Sequence, residues 1–180
     1  TVAPMKGGYT DNYYMQMAQN IRRYKGARPI PVNRHIHKMS VDGIFKDWEQ
    51  VEVVYRDTRG DVFHRDAKGY GGLHYKDSTG RNDIVASKVA VGKSDIFFYA
   101  ETADALTPYS DPDWMLLLID SDGDSSTGWY GYDILINKDI ASDGKGSVLR
   151  FVDGKWVKAG EYRFAVEGNK LELAVPKSLL

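Results

Sequence analysis

The chain has 180 residues, 24 Lys plus Arg against 25 Asp plus Glu, and no cysteine. That length builds one domain with a real core, and the dispersed charge lacks the basic block that tracks a phosphate backbone, so nucleic acid is not an expected partner. No apolar run reaches about 18 residues, so no membrane-spanning helix is expected. Without Cys there is no disulfide, thiolate catalysis or Cys-ligated zinc.

Thr1-Val2-Ala3-Pro4 is not a signal peptide, and the expected state is a processed or excised chain. One helix is predicted, from Asp11 to Lys25. Thr10 or Asp11 caps it, Tyr14, Met17, Ala18, Ile21 and Tyr24 repeat at helical spacing, and Gly26 stops it. Pro29 and Pro31 then mark an extended linker. From Ser40 the pattern changes to short strands and turns. Asp83 to Val91 alternates, Gly92 to Asp95 turns, and Ile96 to Ala100 returns. The continuous apolar runs Trp114–Ile119 and Tyr132–Asn137 read as buried strands. Ser147–Val152, Lys155–Lys158, Glu161–Val166 and Lys170–Val175 follow, separated by tight turns. No βαβ unit occurs. The expected fold class is all-β: an antiparallel β-sandwich, jelly-roll-like, with one N-terminal α-helix.

Between the two apolar runs lies Asp120-Ser121-Asp122-Gly123-Asp124, continuing through Thr127-Gly128-Trp129-Tyr130-Gly131-Tyr132-Asp133. Carboxylates at alternate positions of a short loop are how a chain wraps a hard cation such as Ca²⁺. Asp120, Asp122, Asp124, Thr127 and Asp133 are the expected ligands. An EF-hand would need Gly and Glu where Ser125 and Gly131 stand, so this is not one. The alternative is a solvated acidic turn whose carboxylates cap local amides. Twelve tyrosines and four tryptophans supply rings that stack on the C–H faces of sugars. Trp129, Tyr130 and Trp114 beside the acidic loop, with Tyr70, His74 and Tyr75 from the Gly-rich stretch 56–81, are the candidate ligand contacts. That stretch reads as one long loop, either functional or an Ω-loop packed on its own aromatics. Trp48 is expected in the core, and Trp156 could face either way. No catalytic constellation emerges.

Three segments resemble a known family. Val41-Asp42-Gly43-Ile44-Phe45-Lys46-Asp47-Trp48, the pair Asn82-Asp83-Ile84 and Asp95-Ile96-Phe97-Phe98-Tyr99-Ala100, and the Leu118–Asp133 stretch resemble family 9-type carbohydrate-binding modules and the wider DOMON-like sandwiches. The last stretch is similar to modules attached to Bacteroidetes polysaccharide-degrading proteins. The helix and its linker, residues 1–37, resemble the tail of a preceding (β/α)₈ glycosidase-like domain, and residues 38–180 would be the sandwich. The resemblance implies a non-catalytic glycan-binding or accessory module of a larger glycoside hydrolase, extracellular, periplasmic or at the cell surface. It also implies two rivals: a domain that only buttresses an adjacent glycosidase barrel, and a haem or redox-ligand module of the DOMON type. Its partners would be a glycan and that neighbouring domain.

Overall fold

The computed structural model describes residues 12–25, 35–68, 74–141 and 144–180. A helix, α1, runs over Asn12–Lys25, and a 3-10 turn covers Phe45–Gln50. The strands are β1 (Tyr55–Arg56), β2 (Arg65–Lys68), β3 (His74–Asp77), β4 (Ile84–Val91), β5 (Asp95–Thr102), β6 (Leu117–Ile119), β7 (Ile134–Ile136), β8 (Lys145–Val152), β9 (Lys155–Glu167) and β10 (Lys170–Pro176). Eight of them hydrogen-bond in the order β1-β4-β5-β10-β9-β8-β7-β6, every pair antiparallel, and β2 with β3 forms a separate hairpin. The all-β class is therefore as expected. Its hydrogen bonding joins the eight strands into one sheet instead of the two that a sandwich would divide.

That sheet curls. Phe98 on β5 and Leu117 and Ile119 on β6 share one apolar cluster, although five strand spacings, about 24 Å in a flat sheet, separate β5 from β6. The cluster centres on Trp114, Ile134, Ile136, Val148, Tyr162, Phe164, Leu171, Leu173 and Val175, with Leu179 and Leu180 packed against it. The opposite face of β10 carries Ala174 to a second cluster with Trp48, Val51, Ala90, Phe97 and Tyr99. Burial on both faces explains why β10 is buried from Leu171 to Val175 and apolar there but for one carboxylate.

That exception, Glu172, is 1% exposed. Its Oε1 accepts the amides of Asp42 (2.9 Å) and Gly43 (2.8 Å), and its Oε2 accepts Trp48 Nε1–H at 2.9 Å. A buried carboxylate is tolerable only when its lone pairs are matched, and here three N–H donors match them. The Val41-Asp42-Gly43 turn and Trp48 are thereby tied to the central strand.

The sequence reading departs from the structure in three places. Lys155–Glu167 is one strand, not two, because Gly160 marks a close approach and not a turn: a Cβ there would lie 2.5 Å from Leu179 Cδ1. The register against β8 shifts beside it, so that Val148 faces Gly160 and Leu149 faces Lys158. The expected strand over Trp114–Ile119 shortens to Leu117–Ile119, with Asp113 and Met115 at positive φ. Within the stretch expected as one long loop, Arg65–Lys68 and His74–Asp77 pair as the largely exposed strands β2 and β3.

In α1, Met17 and Ile21 of the predicted stripe are 36% and 46% exposed and Tyr24 is 91% exposed. Its apolar face is left largely open to solvent.

Candidate functional site

The loop between β6 and β7 is held by its own carboxylates. Asp120 Oδ1 accepts the Gly123 amide at 2.7 Å and Asp122 Oδ1 accepts the Asp124 amide at 2.8 Å. These Asx-type turns curl the chain back on itself. Asp133, 8% exposed, closes the ring from the far end. Its Oδ2 accepts Ser121 N–H (2.9 Å) and Oγ–H (3.0 Å).

One oxygen each from Asp120, Asp122 and Asp133 lies within 4.8 Å of the others. Thr127 Oγ1 sits among them, 2.9 Å from Asp122 Oδ2 and 3.5 Å from Asp133 Oδ1. Of the five expected ligands, four converge. Asp124 is outside the group: its Oδ1 accepts Ser126 N–H (2.9 Å) and Oγ–H (2.6 Å). Those two bonds hold its carboxyl below the ordinary carboxylate value. The acidic turn thus caps local amides, as the alternative reading held, and also gathers three carboxylates with a hydroxyl. Such an oxygen-only set suits a hard divalent cation.

Gly128 makes this geometry possible. Its φ is +64°, and a Cβ there would lie 2.3 Å from Tyr132 O and 2.8 Å from Asp133 Oδ1. The Trp129 amide donates to Tyr132 O at 2.7 Å and the Tyr132 amide to Trp129 O at 3.0 Å, so the turn folds tightly back on itself. Gly128→Ala is expected to cost about 1–3 kcal/mol through strain and displacement of this turn. Urea unfolding measures it, and a loss below about 0.5 kcal/mol would contradict the packing described.

The same turn presents aromatic rings. Trp129 meets Tyr130 edge to face at 5.1 Å, and Tyr130 is 52% exposed. Trp129 also lies 6.3 Å from Trp156, which meets Phe151 at 5.1 Å. Trp129, Trp156 and Phe151 are all partly exposed. The Phe151 amide donates to the Asp133 backbone carbonyl at 2.8 Å, which places the strand segment bearing Phe151 beside the residue whose carboxylate joins the group. Phe151 and Trp156 were not among the expected contacts. Turn arithmetic would have found them: Asp153 (φ +49°) and Gly154 (φ +77°) make a two-residue hairpin, which sets Phe151 opposite Trp156.

The other expected contacts fall elsewhere. Trp114 is 1% exposed and donates its Nε1–H to Thr107 O at 2.8 Å, so it is a core residue and offers no ring face to a ligand. His74 pairs with Asp66 across the exposed β2–β3 hairpin, at 2.5 Å, and Tyr75 is 46% exposed on the same hairpin. Tyr70 lies outside the described residues. A groove of about 620 Å³ beside the Phe45–Gln50 turn is lined by Phe45, Trp48, Arg56, Lys88, Tyr99 and Glu101 among others, with neither His nor Met in its wall. The rings of His35 and His37 pack on each other at 4.2 Å. Comparisons with family models, with curated proteins and with solved structures find no match to this chain.

Proposed function

We propose that this chain is a non-catalytic glycan-binding module whose ligand face is stiffened by a bound calcium-type cation. The observation that carries the reading is the contiguous row Tyr130–Trp129–Trp156–Phe151, partly exposed and adjoining the group of carboxylates through the backbone bond between Phe151 and Asp133. Flat aromatic surface stacks on pyranose faces, and neighbouring carboxylates accept hydrogen bonds from ring hydroxyls. A cation in the loop would neutralise the repulsion among Asp120, Asp122 and Asp133 and fix the turn bearing Trp129 and Tyr130. Its work is structural, and no residue here is assigned to bond cleavage. The resemblance to family 9-type carbohydrate-binding modules agrees with this reading and with a location outside the cytoplasm.

Affinity is expected in the micromolar to millimolar range, roughly −4 to −8 kcal/mol. Titration of the full chain against a panel of soluble oligosaccharides tests it. Trp156→Ala is expected to weaken binding about tenfold or more, because it removes the central stacking surface while leaving the carboxylates in place. Tyr109→Ala, which alters an exposed ring packed on Phe164 instead, should leave binding unchanged. Equal affinity in Trp156→Ala and the unaltered chain would remove the platform from the reading.

A second reading, a domain that buttresses a neighbouring glycosidase-like unit, is favoured by α1. The exposure of Met17, Ile21 and Tyr24 leaves an apolar stripe fit for packing against another surface. The two readings are compatible, since α1 and the aromatic row are separate features of the chain.

A further inference from the structure

We propose that the groove beside the Phe45–Gln50 turn is a second ligand site, separate from the aromatic row, and that it takes a hexuronate, a six-membered sugar ring bearing a carboxylate. Strand register builds its floor. On the sheet face beneath the turn, Ala90, Phe97 and Ala174 stand opposite one another across β4, β5 and β10. Lys88, Tyr99 and Glu172 form the next row, and Arg56, Ala86, Glu101 and Lys170 form a third that reaches β1. The turn covers the first two rows. Trp48 and Val51 pack with Ala90, Phe97, Tyr99 and Ala174, and Glu172 accepts Trp48 Nε1–H. Lys88 Nζ donates to the carbonyls of Trp48 at 2.8 Å and Val51 at 3.0 Å. The third row lies past this cover and lines the groove, with Phe45 in its wall. Ala86 is the one short side chain of that row, which leaves a recess between Arg56 and Glu101. At about 620 Å³ the groove falls within the roughly 300–1,000 Å³ of small-molecule sites.

The charges around the recess select the ligand. None of the described ion pairs involves Arg56, Lys88 or Lys170, although all three line the groove. Lys88 is held by its two carbonyls, and Lys170 Nζ stands 5.8 Å from the centre of the Phe45 ring. Glu101 Oε2 accepts the Tyr99 hydroxyl at 2.9 Å, and its other oxygen accepts none of the described hydrogen bonds. Arg56 is exposed, and its guanidinium is a planar fork that matches a carboxylate. A neutral sugar would leave that charge unanswered. Phosphate fits less well, because Glu101 in the same row repels a dianion more strongly than a monoanion. Glu101 instead accepts from sugar hydroxyls, and the partly exposed Phe45 ring receives a C–H face. A hexuronate carries the carboxylate, the hydroxyls and the C–H face on one ring.

NMR titration of the isotopically labelled full chain with glucuronate tests the site, with glucose and inorganic phosphate as controls. The expected result is a shift of the Phe45, Ala86 and Glu101 amides with a dissociation constant on the order of millimolar, and binding of glucose and phosphate at least tenfold weaker. Arg56→Ala, at an exposed position, should weaken glucuronate at least tenfold. Ala86→Leu, which fills the recess and is checked for folding by circular dichroism, should do the same. Trp156→Ala should leave glucuronate binding unchanged, which separates this site from the aromatic row. The proposal is overturned if glucuronate leaves the groove amides unmoved, or if glucose or phosphate matches it. Binding that persists in Arg56→Ala, or that is lost in Trp156→Ala, overturns it equally. None of these outcomes bears on neutral glycans at the aromatic row, which are read separately.

Discussion

Glu172→Ala is expected to destabilise the protein by about 3–5 kcal/mol, among the largest effects of any single substitution in this chain. The side chain is 1% exposed and accepts three N–H donors, from Asp42, Gly43 and Trp48. Truncation leaves all three donors without their acceptor and opens a cavity beside β10. Glu172→Gln should cost less, about 1–3 kcal/mol, because its one carbonyl oxygen still serves part of the set while its amide opposes Trp48 Nε1–H. Trp48→Phe removes the third donor, so a double-mutant cycle of Glu172→Gln with Trp48→Phe should show coupling of roughly 1 kcal/mol. Chemical denaturation reads all four proteins. A Glu172→Ala loss under about 1 kcal/mol would contradict the role given to this carboxylate.

The second large effect is at Asp133. Under the proposed calcium binding, an ion at about 100 times its dissociation constant is expected to stabilise the native state by about 2.7 kcal/mol, which for a chain of this size would raise the melting temperature by roughly 5–10 °C. Asp133→Ala is expected to abolish that rise, because it removes a carboxylate common to the cation group and the Ser121 hydrogen bonds. It should also lower stability by about 0.5–1.5 kcal/mol without calcium, since the two hydrogen bonds from Ser121 to the buried Asp133 carboxylate are lost. Asp124→Asn is the discriminating control. Its carboxylate is engaged by Ser126 and lies outside the converging group, so the calcium response should persist. A response that Asp124→Asn eliminates and Asp133→Ala preserves would exchange their roles.

What could be read from the sequence follows from what is local. α1, the β4–β5 hairpin and β10 announce themselves through periodicity, alternation and turn residues, and each appears within a residue or two of its expected bounds. The acidic loop was equally legible, since alternate Asp residues around Gly123 leave few ways to fold. Long-range geometry was not legible. Alternation alone cannot tell one curled sheet from two stacked ones, because both bury alternate residues. Trp114 looked like a ring beside the loop, but positive φ at Asp113 and Met115 turns it into the core. Asp124 has the correct spacing for a ligand, yet Ser126, two residues on, captures its carboxylate. Glu172 carried no signal at all: an acidic residue inside an apolar strand gives no hint of donors more than 120 positions away.

Oligosaccharide titration of the full chain in millimolar Ca²⁺ and again in excess chelator, with Asp122→Ala alongside, tests the joint role of ion and rings most directly. The expected result is binding in calcium that falls at least tenfold in chelator and in Asp122→Ala, and that Trp129→Ala abolishes. Calcium-dependent stabilisation with no binding to any glycan would contradict the glycan-binding role and leave a structural appendage. Glycan binding indifferent to both chelator and Asp122→Ala would contradict the coupling between the ion and the aromatic face.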